Sequence, residues 1–366
     1  MRSLPWWKPE IGDRELGLVT DVLKSDYINE GNVTEKFERA LAARLGVRHA
    51  IATTSGTAAI FLALRGLGVG PSDEVIVPDL TFIATANAVH LTGARPVLVD
   101  IDPGTLNISL DAIARAIGPN TKAIVPVHVS GRGADMAPLV EFARSRQLVV
   151  VEDAAEALLS KHRSKFLGTW GHAGCFSFSP NKTMTTGQGG LVVTDDDALA
   201  VSLRQLKDQG RPVRGTGGDD EHPALGYNFK LTNLQSAVGL AQLSYLDARM
   251  SRMRDLYVAY RSGLAGIREV TLPGFDVEHG EAPQWTDIVC ERRDELDRFL
   301  GERGANCRRF WHPLHTQAPY RRGDDEFPNS TALCKSALWL PSAFQLTVDD
   351  VAHVCKLVHE FYGVRT

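Results

Sequence analysis

The chain has 366 residues, of which 43% are hydrophobic and 23% are charged, and its formal net charge is −4. This length can bury a substantial core in one large domain or two, with the composition of an ordinary soluble globular protein. Because the net charge is negative and no Lys/Arg run stands out, nothing supports nucleic-acid binding by a basic face. No uninterrupted apolar stretch could span a bilayer, and Met1–Glu10 lacks the apolar core of a signal peptide, so we expect no membrane partner.

The cysteines indicate the compartment. They are odd in number, widely spaced and contain no CxxC pair: Cys175, Cys290, Cys307, Cys334 and Cys355. Such spacing favours a reducing environment and argues against a disulfide framework or a structural zinc site. We therefore expect a cytoplasmic protein.

Up to about Lys207, short β-branched runs alternate with helical stretches. The predicted strands are His49–Thr53, Glu74–Pro78, Pro96–Asp100, Lys122–Val129, Leu148–Glu152, Cys175–Phe178 and Gly190–Thr194. The predicted helices between them include Ala58–Leu67, Leu110–Ile117 and Ala137–Ser145. This alternation predicts a mostly parallel sheet with helices on both faces, which binds ligands in the loops after the carboxyl ends of its strands.

The second part of the chain is predicted to form a smaller domain. A polar, glycine-rich loop at Arg211–Gly226 precedes a long helix that begins at a cap, Thr232 or Asn233. The elements predicted beyond it are a strand at Thr286–Cys290 and helices at Arg293–Arg303 and Val348–Tyr362. We place the domain boundary near residue 245, with a large domain at 1–245 and a small C-terminal domain at 246–366.

The turn at Ser55, Gly56 and Thr57 lies between a predicted strand and an Ala/Leu-rich helix. A helix start offers free N–H groups and a partial positive charge, and glycine lets a phosphate approach the backbone. The two hydroxyls could add hydrogen bonds. The pattern indicates either a phosphate site or an ordinary helix cap.

Asp153 follows the apolar run Leu148–Val151, which is typical of a buried central strand. A carboxylate in that position needs a partner, or its pKa rises. A protonated heterocyclic nitrogen would be such a partner, and a helix cap or a structural ion pair are the alternatives. Glu152 points to the opposite side of the strand, and we interpret it as structural.

Lys182 is the only formally charged residue between Phe166 and Thr194. It stands among aromatic, hydroxyl and glycine residues, where a lysine would be poorly solvated. Desolvation lowers the pKa of a lysine and makes it a usable nucleophile for Schiff-base formation. The segment therefore predicts a reactive lysine.

Two smaller signals agree with a cofactor site. Phe82 follows another predicted strand, where its ring could stack on a planar cofactor or pack in the core. Asn228 could be a turn residue or a polar ligand contact. The cluster Gly66–Gly70 ends a helix and lacks the GxGxxG spacing, which weakens a dinucleotide-binding interpretation.

In this order and spacing, the motifs resemble those of the DegT/DnrJ/EryC1/StrS family of sugar aminotransferases, which depend on pyridoxal 5′-phosphate (PLP). The matching segments run over most of the chain: Asn32–Glu38, Ser55–Thr57, Thr81–Thr85, Glu152–Glu156, Ser177–Phe178, Lys182, Thr185–Gly187, Asn228, Leu234–Gln235 and His312–His315. The resemblance implies the α/β fold of aspartate aminotransferase, PLP fold type I. That fold has a mostly parallel central sheet with helices on both faces and a smaller C-terminal α+β domain, so residues 1–245 would form the PLP-binding domain.

The resemblance also implies a role for each candidate residue. Lys182 would hold PLP as a Schiff base and move the proton between substrate and cofactor. Asp153 would keep the pyridine nitrogen protonated, which makes the ring an electron sink. The remaining implied cofactor contacts are Phe82 against the ring, Gly56, Thr57 and Ser177 at the phosphate, Glu156 near the phenolic oxygen, and Asn228 at the phosphate of a neighbouring subunit's cofactor. The last of these implies a homodimer with shared active sites.

Lys182 favours amino transfer, because a relative that eliminates instead carries histidine at this position. The resemblance implies that L-glutamate is the donor and leaves pyridoxamine 5′-phosphate as the intermediate form. The implied acceptor is a nucleotide-linked keto-sugar, a 4-keto-6-deoxyhexose, on the way to an amino sugar of a lipopolysaccharide or an antibiotic. His312, His315 and Tyr320 are the candidate sugar-binding residues. Glu156 and Gln188 stand where the family commonly has Gln and Glu, and the consequence is open.

Other functions remain distinguishable by experiment. A nicotinamide-dependent oxidoreductase would explain the strand pattern but not Lys182, and it would bind NAD without PLP. A non-catalytic regulator would bind PLP without amino transfer. An aminotransferase for a cyclitol, or for another keto-sugar position, would keep the chemistry and change the acceptor. His312 and His315 could pair as ligands, but without a third candidate we expect no metal.

Overall fold

The computed structural model describes residues 3–212 and 221–363. The strands of its first part are β1 (His49–Thr53), β2 (Glu74–Pro78), β3 (Arg95–Val99), β4 (Thr121–Ile124), β5 (Val149–Asp153), β6 (Lys161–His162), β7 (Lys165–Phe166), β8 (Ala173–Ser177) and β9 (Gly190–Thr194). All but β6 and β7, which pair with each other, form one seven-stranded sheet in the order β1-β9-β8-β5-β4-β2-β3. Strand β9 runs antiparallel to β1 and β8, and the other neighbours are parallel. The predicted mostly parallel sheet is therefore confirmed.

Helices cover both faces of this sheet. In chain order they are α1 (Asp13–Lys24), α2 (Asn32–Leu45), α3 (Gly56–Gly66), α4 (Ala84–Leu91), α5 (Leu110–Ala116), α6 (Met136–Ser145), α7 (Asp197–Lys207) and α8 (Asn233–Leu243). Successive strand residues point to opposite faces, so Val150 packs in one core with Phe37 while Val151 packs in another with Ile60. Burial on both faces explains why these strands are continuous apolar runs in the sequence.

Two sequence predictions need correction in their extent. The strand predicted at Lys122–Val129 ends at Ile124, because Pro126 has no N–H to donate to the ladder. The long helix that begins after its cap, Thr232, ends at Leu243, and a separate helix follows. The loop predicted at Arg211–Gly226 includes residues 213–220, which lie outside the described residues.

The C-terminal part contains a second, antiparallel sheet. Its strands are β10 (Val270–Thr271), β11 (Asp287–Cys290), β12 (Arg308–Arg309) and β13 (Ala337–Trp339), in the order β10-β11-β13-β12. The helices of this part are α9 (Leu246–Gly263), α10 (Arg293–Glu302), α11 (Pro328–Ser336) and α12 (Val348–Tyr362). Within the described ranges, no helix is long and apolar enough to cross a membrane.

Helix α9 connects the two parts. Met250 and Met253 near its start belong to a core of the large sheet, whereas Tyr260 and Leu264 belong to the C-terminal core. Leu4 also packs in the C-terminal core. The first residues thus pack with the last third of the chain, and the division at residue 245 stays a prediction.

The close packing of β8 against the loop that contains Gly168 can be tested at Gly174. A Cβ there would lie 1.9 Å from the carbonyl oxygen of Gly168, so Gly174→Ala should lower the free energy of unfolding by about 1–3 kcal/mol. The matched control is Gly17 on α1, whose Cβ position has nothing within 4 Å. Gly17→Ala should raise the same free energy by roughly 0.5–1 kcal/mol, since alanine favours a helix. Urea unfolding measures both changes, and changes of the same sign would contradict this packing.

Candidate active site

A cavity of about 430 Å³ opens at one edge of the seven-stranded sheet. Part of its lining comes from the ends of β1, β2, β5 and β8 with the segments that follow them, and from Gln188, which precedes β9. Because β9 runs opposite to its neighbours, its start lies at the same edge as their ends. These are the loops in which such sheets bind ligands, and the volume suits a small molecule.

Lys182 lies inside this cavity with only 12% of its side chain exposed. Its Nζ is 3.1 Å from Glu156 Oε1 and 4.9 Å from the centre of the Trp285 ring. The lysine segment is fixed from two sides. Gln284 Oε1 accepts from the Thr183 N–H at 3.4 Å, and the Arg249 guanidinium donates to the Thr183 carbonyl at 3.3 Å.

Asp153 is the last residue of β5 and is 5% exposed. Its Oδ2 accepts from the Thr85 hydroxyl at 2.7 Å, and its Oδ1 accepts from the Ala155 N–H at 3.2 Å. Burial raises the pKa of Asp153, and the hydrogen bond from Thr85 opposes that rise. A carboxylate oxygen has more than one acceptor position, so this group can still accept from a protonated nitrogen.

Glu156 is a second buried carboxylate, 5% exposed. Its Oε2 accepts from the Ser130 N–H at 2.9 Å while Oε1 faces Lys182. Burial raises the pKa of Glu156, and the charge of Lys182 opposes that rise. The cavity thus holds two desolvated carboxyl groups beside one lysine.

The start of α3 forms an anion cradle. Ser55 is the N-cap and accepts from the Ala58 N–H at 3.1 Å, which leaves the N–H groups of Gly56 and Thr57 without helical acceptors. A Cβ on Gly56 would lie 2.9 Å from the Cβ of Ser177, so glycine permits the approach of α3 to β8. The Ser177 and Ser179 hydroxyls are 3.2 Å apart at the same place.

These groups fit PLP. The cradle at α3 suits its phosphate, Asp153 suits its ring nitrogen, and Lys182 suits its carbonyl carbon. The Phe82 ring lines the same cavity and is 53% exposed, so one of its faces is available for stacking.

Asn228 lies elsewhere. It is exposed and pairs by a backbone bridge with Asp208, and it does not belong to the described lining of the chain's own cavity. Its predicted contact with a neighbouring subunit's cofactor stays a prediction.

The structure does not bring the three candidate sugar-binding residues into the described lining. His312 is exposed, and the Tyr320 hydroxyl donates to Asn87 Oδ1 at 2.7 Å. His315 is fully buried, with Nδ1 2.6 Å from Asp79 Oδ2. Asp79 Oδ1 also accepts from the His315 N–H at 2.8 Å, so this pair fixes the His312–His315 segment to the end of β2.

Sequence reasoning missed one wall of the cavity. Trp285, Arg308, Trp311 and Trp339 line it from the C-terminal part. They are separated along the chain and belong to no local motif. The pairing of β13 with β12 and with β11 brings these segments together. No local pattern in the sequence signals this wall.

Comparisons with known proteins give consistent results. The profile of the DegT/DnrJ/EryC1/StrS aminotransferase family matches residues 9–359. The GDP-perosamine synthase of Escherichia coli O157:H7 is 37% identical over 368 residues, which cover 99% of this chain and 100% of that protein. DesI, solved in the presence of its TDP-sugar product, has a TM-score of 0.91 at 31% identity, covering 99% of this chain and 93% of that one. Spr1654 from Streptococcus pneumoniae, solved in its PLP form, has a TM-score of 0.92 at 27% identity over 99% of each chain.

The raised pKa of Asp153 predicts a pH effect on stability. The native carboxyl holds its proton at a higher pH than the unfolded one, so its contribution to the free energy of unfolding falls as pH rises between the two pKa values. In the cofactor-free protein, Asp153→Asn should remove this contribution, so the slope of the free energy of unfolding against pH, measured by urea unfolding, should become more positive above about pH 4.

The matched control is exposed Asp197, whose pKa is lowered by the hydrogen bond from His49. Asp197→Asn should remove a stabilising contribution that is lost only as pH falls below about 4, so it should leave the slope above that pH unchanged. An Asp153→Asn variant with the wild-type slope would contradict the described burial.

Proposed function

The chain belongs to the DegT/DnrJ/EryC1/StrS aminotransferase family, and on that premise we propose that it uses PLP to move an amino group from L-glutamate to a nucleotide-linked keto-sugar, a 4-keto-6-deoxyhexose. The membership confirms the family and the PLP fold type I predicted from the sequence. The observation that carries the proposal is the desolvated Lys182, which shares one cavity with Asp153 and with the anion cradle of α3.

PLP, when bound, supplies an electrophilic carbonyl carbon and a ring that delocalises the electrons released at the substrate carbon. Gly56, Thr57 and Ser177 would bind its phosphate through backbone N–H groups and a hydroxyl. The carboxylate of Asp153 would keep a proton on the ring nitrogen, a charge pairing that would offset its own desolvation. Phe82 would pack against the ring.

Lys182 carries the reactive nitrogen and moves the proton at the substrate carbon. It needs to be neutral for this work, and Glu156 Oε1 at 3.1 Å is placed to hold the proton that Nζ loses. The raised pKa of Glu156 favours that exchange. The buried Trp285 ring lies against the lysine and excludes water from that contact.

The acceptor is proposed from the relatives. One is named for a GDP-linked sugar and another was solved with a TDP-sugar product, so a nucleotide-linked substrate is common to both. We propose the GDP-linked sugar first, because the GDP-perosamine synthase matches 99% of this chain at 37% identity. The cytoplasmic location stays a prediction.

A homodimer is part of the proposal. Asn228 is exposed and lies outside its own cavity, as expected if it serves a second copy. On α1, Leu16 and Leu23 are 66% and 54% exposed, and Tyr27 and Ile28 follow at 50% and 46%. An exposed apolar patch of this kind is typical of a surface covered by another chain.

Turnover tests the function. With L-glutamate and a GDP-linked 4-keto-6-deoxyhexose, the protein should form 2-oxoglutarate and an amino sugar in equal amounts, measured by mass spectrometry. Lys182→Ala should reduce turnover by at least about 10²–10⁴-fold, the contribution of a positioned proton-transfer group, with the fold retained. Lys165→Ala, which changes an exposed lysine on β7, is the control and should leave turnover unchanged. Wild-type turnover in Lys182→Ala would overturn the proposal.

Asn228 tests the shared site. Asn228→Asp would place a carboxylate against the phosphate of the neighbouring cofactor, so the dissociation constant for PLP should rise about tenfold or more. Absorbance titration of the cofactor-free protein measures it, and light scattering checks that the variant is still a dimer. Asn120, which precedes β4 at the opposite edge of the sheet, is the control, and Asn120→Asp should bind PLP normally. A dimeric Asn228→Asp variant with unchanged affinity would remove Asn228 from the site.

A further inference from the structure

An aromatic wall bounds the cavity on the side of the C-terminal sheet. Trp285, Trp311 and Trp339 line the cavity, and Trp6 packs behind them against Trp285 and Trp339. The ring centres of Trp285 and Trp339 are 4.9 Å apart, as are those of Trp311 and Trp339, and Trp6 lies 5.2 Å from Trp285. Rings packed this closely form a rigid surface.

Two cations lie on this aromatic wall at different places. Lys182 Nζ lies over Trp285, at the reaction centre. The Arg308 guanidinium lies over Trp6 at 4.7 Å and over Trp339 at 5.9 Å. Arg308 is exposed and lines the cavity, so the wall holds its guanidinium at the cavity mouth.

Arg308 differs from its neighbour in its partners. Arg309 forms ion pairs with Asp297 at 2.9 Å and Asp294 at 3.4 Å. The alternation of β12 directs Arg308 away from these carboxylates, and in the described part of the chain its guanidinium has no hydrogen bond or ion pair. Lys182 is already paired with Glu156, so among the described lining residues Arg308 is the cation without a carboxylate partner.

We propose that Arg308 is a specificity-determining residue that binds the diphosphate group of the nucleotide-linked substrate at the cavity mouth. An arginine held on aromatic rings keeps its N–H donors directed outward, and its planar fork matches phosphate oxygens. The inference rests on the proposed function and extends it by assigning the anion-binding residue.

The position of Arg308 distinguishes the two anions that the reaction involves. The α-carboxylate of L-glutamate is bonded to the reacting carbon, so it is expected close to Lys182. A diphosphate is joined to the sugar across the ring from the reacting carbon, so it extends away from the lysine. Arg308 lies over Trp6 and Trp339, not over Trp285, which matches the second geometry.

The test compares Arg308→Gln, Arg308→Lys and Arg309→Gln in the PLP-loaded protein. Calorimetry gives the dissociation constant of GDP alone, and steady-state kinetics gives KM for the nucleotide keto-sugar and for L-glutamate. Arg308→Gln should raise the GDP dissociation constant and the keto-sugar KM by about ten- to a hundredfold, the loss expected for hydrogen bonds to a charged group. KM for L-glutamate should stay within about twofold if Arg308 serves the diphosphate and not the donor.

Arg308→Lys should give intermediate values, because it keeps the charge and loses the fork. If Arg308→Gln fails to fold, the GDP dissociation constant of Arg308→Lys tests the inference in its place. Arg309→Gln should leave both KM values unchanged.

Wild-type GDP binding in Arg308→Gln would overturn the inference, and a rise in KM for L-glutamate alone would assign Arg308 to the donor instead. If the wild-type protein neither binds GDP nor aminates the sugar, the proposed function itself fails, whatever the variants do.

Discussion

The cavity depends on a set of charges that water does not solvate. Asp153 and Glu156 are each 5% exposed, and Lys182 is the cation within reach of Glu156. A buried charge is costly unless it is paired, so these carboxyl groups have raised pKa values in the free protein. A cofactor with a protonated ring nitrogen would pair with Asp153, and its carbonyl carbon would react with Lys182. Because burial makes the unpaired charges unfavourable, the site favours a ligand that carries these two groups.

The fold brings these charges together because segments that are distant in the sequence meet at one edge of the seven-stranded sheet. Close backbone approaches make that convergence possible. A Cβ on Gly190 would lie 2.2 Å from the carbonyl oxygen of Ser55, so β9 and the start of α3 could not approach this closely with a larger residue. Gly56 does the same between α3 and Ser177. Glycine at these two positions therefore allows the anion cradle and the lysine segment to lie at the same edge of the sheet.

Much of this organisation is predictable from the sequence, because its signals are local. The strands β1, β2 and β9 are found at their predicted bounds, since buried strands are runs of apolar residues bordered by turns. Lys182 stands out because no other formally charged residue occurs near it in the sequence. The family motifs then assign the cofactor.

The unpredicted parts depend on pairing between distant segments. The aromatic wall forms because β13 pairs with both β11 and β12 and because Trp6 packs against Trp285, which no residue spacing reveals. His315 was expected at the sugar, but the structure pairs it with Asp79, a residue 236 positions earlier in the chain. A histidine in a motif does not indicate by itself whether it faces a ligand or a buried carboxylate.

The central claim is that PLP binds covalently to Lys182, and borohydride reduction of the PLP-loaded protein followed by peptide mass mapping tests it most directly. Reduction fixes the cofactor to the lysine that holds it. The account predicts one modified site, on the peptide that contains Lys182, and no modification in Lys182→Ala. A label on another lysine, or a protein that takes up no PLP, would contradict it.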